Sequence, residues 1–109
     1  MIKKGVLYQV YDRDKRRCVI CGSKRLLERI PHHCFFKSKY FEDDKNDAWN
    51  LVTICMMREK DGQQIKGCHR KLHHGDKWIE RKCKILALDR YEGKHKDKLL
   101  KIMKRKQFL

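Results

Sequence analysis

Five of the six histidines occupy two places in the chain, His32-His33 and then His69, His73 and His74. His69 and His73 stand at i and i+4, which puts both imidazoles on one face of a helix where they can share a cation. His74 lies about 100° further round that helix and is expected to face solvent or a phosphate. Neighbours on a strand point to opposite sides, so one of His32 and His33 can complete a metal site while the other serves a reacting water. A neutral imidazole is a competent general base near neutral pH.

The cysteines form a second set. Cys18 and Cys21 have the C-x2-C spacing, closed by Gly22, that lets two sulfurs converge on one ion. Cys55 and Cys68 follow, separated by residues 56–67, a gap wider than the usual two to four residues of a zinc knuckle. A structural zinc on Cys18, Cys21, Cys55 and Cys68 therefore requires residues 56–67 to loop out and return. Two alternatives stay open: Cys55 and Cys68 as ordinary buried thiols, or Cys34, beside the histidine pair, in place of one of the four. Cys83 falls on an apolar stripe and is expected in the core.

The elements that must position these groups are bounded by length and charge. The chain has 109 residues, with 29 Lys+Arg against 14 Asp+Glu and a formal charge of +15, which allows one domain. So large a cationic excess points to nucleic acid as the partner, and an anionic membrane surface is a weaker candidate. No run approaches a membrane span, and Met1 to Gln9 lacks the apolar stretch of a secretory signal. A cytoplasmic protein is expected, where thiols stay reduced and cysteines serve metals rather than disulfides.

Along the chain, Leu7, Val10 and Tyr11 predict a short helix ending near Asp14. Residues 17–23 predict a knuckle, Leu26 to His33 a strand leading into the histidine pair, and Leu51 to Ile54 a second strand. Phe35 to Asp47 shows no period and is expected to be a loop. Its aromatics, Phe35, Phe36, Tyr40 and Phe41, are expected either in the core or stacked on bases. Met56 to Gly67 is polar with two glycines, as an exposed excursion would be. Residues 68–74 predict a helix stopped by Gly75, and two further helices broken near Gly93 complete the chain, the last of them basic and amphipathic.

The order C-x2-C-G, then HH ending a strand, then Asn-Leu opening the next (NLVTIC), then CH-x3-H on a helix resembles the HNH endonuclease family, over about residues 13–75. The histidine set is similar to that of the colicin-type bacterial DNases, and the cysteines to those of zinc-stapled phage and bacterial members. The resemblance implies an α+β fold built on a ββα-metal (His-Me finger) core with a structural zinc knuckle. It makes residues 1–109 one domain, with 76–109 a basic helical extension.

By the same resemblance His33 is the general base, and His32 binds a single catalytic divalent ion with His69 and His73. Asn50 is the central asparagine that braces the loop between the strands. The activity implied is hydrolysis of DNA phosphodiesters to 5′-phosphate and 3′-hydroxyl ends. Imidazole ligands suit Zn2+, Ni2+ or Mn2+ better than Mg2+, although Mg2+ is abundant in cells. The long spacer between Cys55 and Cys68 departs from the family and leaves room for a specificity loop.

Arg70, Lys71, Lys77, Arg81 and Lys82 are placed to clamp the phosphates beside the cut. Lys101, Lys104 and Arg105 in the tail add sequence-independent affinity. Two other classes compete with the nuclease: a non-catalytic zinc-stapled nucleic-acid-binding module, and a packaging or assembly subunit working with a phage terminase or another protein partner.

Overall fold

The computed structural model describes residues 2–35 and 45–109 and shows a small α+β protein. The expected base stacking by Phe36, Tyr40 and Phe41 lies outside the described residues. Phe35 is inside them and is a core residue, 3% exposed.

Helix α1 (Lys4–Arg13) buries Val10 and ends where Lys15 and Arg16 take left-handed backbone angles, φ +56° and +53°. Its last residues form a polar joint. Asp14, with a side chain 1% exposed, pairs with Arg13 at 2.9 Å and Arg90 at 3.6 Å and accepts the Thr53 amide at 2.9 Å. Arg13 also donates to the carbonyls of Ala48 and Leu51. A buried carboxylate needs compensation of this kind, because desolvation without partners costs several kcal/mol.

After the cysteine knuckle, strand β1 is only His32–His33. It runs antiparallel to β2 (Leu51–Val52) in the register His32↔Val52 and His33↔Leu51. The longer strand expected from Leu26 is broken. Leu26 has φ +56° and Pro31 has no N–H to donate, so the earlier stretch pairs only through the Leu27↔Cys55 bridge and its neighbours. The second strand is likewise regular only over Leu51–Val52, although Leu51 to Cys55 are all fully buried.

Met56 to Gly67, expected as an exposed excursion, is exposed over most of its length. It folds as a hairpin of β3 (Met57–Lys60) and β4 (Gln63–Lys66). Asp61 and Gly62 turn it with φ +53° and +79°, the two positive angles of a two-residue hairpin turn, for which Asp-Gly is a favoured pair. At its base Gly67 lies against Met56: a Cβ there would sit 2.5 Å from the Met56 carbonyl carbon. Helix α2 (Cys68–His73) then begins, and Gly75 at φ +92° stops it.

Helix α3 (Lys77–Arg90) is capped by Asp76, whose Oδ1 accepts from Ile79 N at 3.0 Å. Helix α4 (Lys96–Arg105) turns Leu99 and Met103 inward. The break near Gly93 is where the sequence placed it. The core joins Cys34, Phe35, Val52 and Ile54 to Cys83, Ala87, Tyr91, Leu99, Met103 and Phe108. No helix among the described residues is long and apolar enough to cross a membrane.

Two glycines separate steric from conformational need. Gly67→Ala is expected to destabilise the zinc-loaded protein by about 1–3 kcal/mol, the range for overpacking against unyielding atoms. Gly5→Ala, in α1 with open space around its Cβ, is expected to stabilise by about 0.5 kcal/mol. Denaturant unfolding of both variants measures the contrast, and equal effects would contradict it.

Candidate metal centres and their setting

Two donor clusters emerge from these elements. The first brings together Cys18, Cys21, Cys55 and Cys68, whose sulfurs all lie within 4.8 Å of one another. Cys21 and Cys55 Sγ are 3.7 Å apart. Tetrahedral zinc with bonds of about 2.3 Å implies sulfur separations of about 3.8 Å, so this spacing fits the ion. The Cys68 amide donates to Cys55 Sγ at 3.2 Å, supplying the backbone compensation that thiolates need.

The thiols also show what a cation would do there. Cys18 is held down to about 4 chiefly by the hydrogen bond from Cys68, while burial pushes Cys55 up to about 11. Cys68 is driven up by the same bond to Cys18 and by burial. Four sulfurs this close cannot all be negative unless a positive ion sits among them. Cys34 is not part of the set. It is fully buried in the core, where burial and then the Cys83 thiol push its own pKa well up. Cys83 is in the core, as expected.

The second cluster joins His32 on β1 to His69 and His73 on α2, with ligand nitrogens again within 4.8 Å. The ring centroids of His69 and His73 are 4.5 Å apart, and those of His32 and His69 5.3 Å apart. The Nε2 atoms of His69 and His73 stand 2.9 Å apart, close enough to share one proton or to ligate one cation. Burial, reinforced by the charges of His69 and Lys84, pulls His32 down to about 3. It is therefore neutral at physiological pH, the form that ligates a metal.

One acceptor near the cluster has no sequence signal. Glu28 Oε1 lies 3.0 Å from His69 Nδ1, with the two side chains 27% and 24% exposed. A carboxylate accepts, so Nδ1 carries the proton and Nε2 is left free to bind an ion, the arrangement that orients ligand histidines elsewhere. Glu28 and His69 are far apart in the chain, and no periodicity links them.

His33 points the other way, as alternation on β1 requires. Its Nε2 lies 2.7 Å from Asn46 Oδ1. An amide oxygen only accepts, so the proton sits on Nε2 and Nδ1 is the free base. Asn46 is a second residue that spacing did not disclose.

Asn50 is fully buried and ties three backbone groups together. It accepts from Phe35 N at 2.7 Å and donates to Phe35 O at 2.7 Å and Lys45 O at 2.8 Å. It thus closes both ends of the chain between β1 and β2. Lys84 adds a tie from α3, donating to Cys34 O at 2.7 Å.

The basic residues divide. Arg70 is exposed and Lys71 half-buried on α2, between His69 and His73. Lys82 lies over the exposed Trp78 ring, and Lys77 is within 3.5 Å of Glu80. Arg81, expected at the phosphate clamp, donates through Nε to the Phe108 carbonyl at 3.0 Å, which ties residue 108 to α3. Lys101, Lys104 and Arg105 line one shallow depression on α4. His74 is exposed, as expected, and accepts from Lys66 Nζ at 3.0 Å.

Comparison of the chain with protein-family models, with curated proteins and with solved structures returns no match.

Replacing zinc by Co2+ is expected to give intense thiolate charge-transfer absorption with one ion per thiol cluster. Serine at Cys18, Cys21, Cys55 or Cys68 should abolish that signal, whereas alanine at Cys34 or Cys83 should preserve it. A signal sensitive to Cys34 would place the site elsewhere. Separately, Glu28→Gln is expected to weaken metal binding at the histidine cluster about 10–100-fold, read by calorimetric titration of the zinc-loaded protein with Ni2+ or Mn2+.

Proposed function

We propose that the chain is a metal-dependent DNA endonuclease of the HNH type, with a ββα-metal core formed by β1, β2 and α2. The observation that carries this reading is the division of labour across β1. His32 joins His69 and His73 in a three-nitrogen cluster, while His33 next to it has Nε2 held by Asn46 and no Nδ1 partner among the described residues. A purely structural zinc site is closed by four ligands. Three imidazoles leave room for a phosphate, and a structural site has no use for a fourth histidine with a free nitrogen.

In the reaction so inferred, His33 Nδ1 takes a proton from a water molecule, and the water attacks phosphorus in line with the departing 3′-oxygen. The proton moves to imidazole and the P–O3′ bond breaks; the departing 3′-oxygen takes a proton from solvent water, the imidazolium later returns its own to solvent, and the products are a 5′-phosphate and a 3′-hydroxyl. His32, His69 and His73 would hold the divalent ion, which when bound supplies Lewis-acid stabilisation of the phosphate and of the leaving oxygen. Glu28 keeps His69 in the ligating tautomer, and Asn46 keeps His33 in the basic one. Asn50 fixes both chain ends around β1 and β2. Arg70 and Lys71 meet the flanking phosphates.

The zinc-loaded protein, freed of loosely bound metal with a weak chelator, is expected to nick supercoiled plasmid once Mn2+, Ni2+, Mg2+ or Zn2+ is restored. His33→Ala should lower the rate about 10²–10⁴-fold, the usual contribution of a general base, with metal binding unchanged. Plasmid binding without cutting under every metal would leave the non-catalytic binding module as the better reading.

A further inference from the structure

The β3–β4 hairpin serves neither the core nor the proposed chemistry, and its two faces differ. Directly opposed residues share a face of an antiparallel pair. One face therefore carries the pairs Met57↔Lys66 and Glu59↔Gln64, and the other Arg58↔Ile65 and Lys60↔Gln63. The first face is turned to the body, for Glu59 pairs with Arg25 at 3.2 Å and Lys66 reaches His74 at 3.0 Å. On the second, Arg58, Lys60 and Gln63 are exposed, Ile65 is half-buried, and no acidic side chain is present.

We propose that this second face reads base edges in the major groove of duplex DNA. The inference rests on the DNA-cleaving function proposed above and adds to it the element that selects the site. Four residues of strand extend about 13 Å, with about 5 Å between strands, and the major groove, about 12 Å wide and about 8.5 Å deep, admits such a ribbon. The side chains match what that groove displays: Arg58 and Lys60 for guanine O6 and N7, Gln63 for adenine N6 and N7, Ile65 for a thymine methyl. Asp61, at the turn, can accept from cytosine N4. Duplex RNA presents a major groove too narrow for side chains to read, so a reader of this kind selects DNA.

The base of the hairpin makes reading and cutting one rigid unit. Cys55 precedes β3 and Cys68 follows β4, both in the thiolate cluster. His69 N donates to Cys55 O at 3.1 Å, and Gly67 allows the two strand ends to meet. Cys68 also opens the helix bearing His69 and His73. The hairpin and the histidine cluster thus leave the same joint, and the bases read stand at a fixed offset from the bond cut.

The test measures binding by zinc-loaded, full-length protein in a His33→Ala background, which does not cut. The probes are a randomised 30-base-pair duplex pool and the duplexes enriched from it. With the hairpin intact, particular base pairs should be enriched, and replacing their purines by 7-deazapurines, which lack N7 but keep every phosphate, should weaken binding about tenfold. The triple variant Arg58→Ala, Lys60→Ala, Gln63→Ala should lose both the enrichment and the sensitivity to 7-deazapurines while keeping its cobalt absorption. Enrichment that survives in the triple variant, or equal affinity for duplex RNA, overturns the proposal and leaves the nuclease intact. Failure of the intact hairpin to bind any DNA overturns both.

Discussion

Convergence of four thiols at one point is the constraint on which the rest of the structure depends. Cys18 and Cys21 come from the knuckle, Cys55 from the end of the buried Leu51 to Cys55 stretch, and Cys68 from the first turn of α2. Left to themselves these sulfurs oppose one another: a thiolate on Cys18 raises its neighbours. A dication would reverse the sign of that interaction and turn a repulsive cluster of four thiols into a tie between three segments. For 109 residues this matters, because so short a chain buries a modest fraction of its surface. It also places the histidines, since His69 and His73 are one and five residues beyond Cys68 on the same short helix.

A second layer of order comes from single polar side chains that each satisfy several buried groups. Asp14 joins α1 to the Thr53 amide and to Arg90 of α3. Asn50 bridges Phe35 and Lys45, and Lys84 spans from α3 to Cys34 O and Glu80. With strands of two residues, the β1–β2 ladder alone supplies few hydrogen bonds. Buried backbone groups left over from so short a ladder must find other partners, and these three side chains provide them. Loss of any one leaves donors or acceptors unmet in the interior, where the cost is about 1–3 kcal/mol per group.

Much of this was legible in the sequence. The i, i+4 spacing of His69 and His73, the alternation of His32 and His33, and the C-x2-C turn are local rules, and each survives folding unchanged. The helix stops at Gly75 and near Gly93 are local too. What spacing could not supply is pairing at long range: Glu28 with His69, His33 with Asn46, Arg81 with the Phe108 carbonyl. Charge and polarity permit many such partners, and only the fold selects one. The hairpin has a local signal at its turn and none in its strands. Asp61-Gly62 is a strong two-residue turn signal, but the polar, nearly alternation-free flanks of Met56 to Gly67 hide the strands, because both faces of the ribbon are largely exposed.

The distribution of charge follows from the same division of roles. Six of the 14 acidic side chains hold the structure together: Asp14 and Glu80 in ion pairs, Asp76 as a helix cap, Glu28 on His69, Glu59 on Arg25, Asp12 on Arg16. The negative charge of these six is drawn into short-range contacts, where its field is cancelled close to its source. The excess cations of a chain with net +15 lie on the outer surfaces instead: α2 beside the histidines, the polar face of α4, and the free face of the hairpin. A potential arranged in this way would attract a polyanion along a broad front and weaken with salt, and in the proposed reading the few fixed donors of the hairpin and the histidine cluster decide where on that polyanion the protein comes to rest.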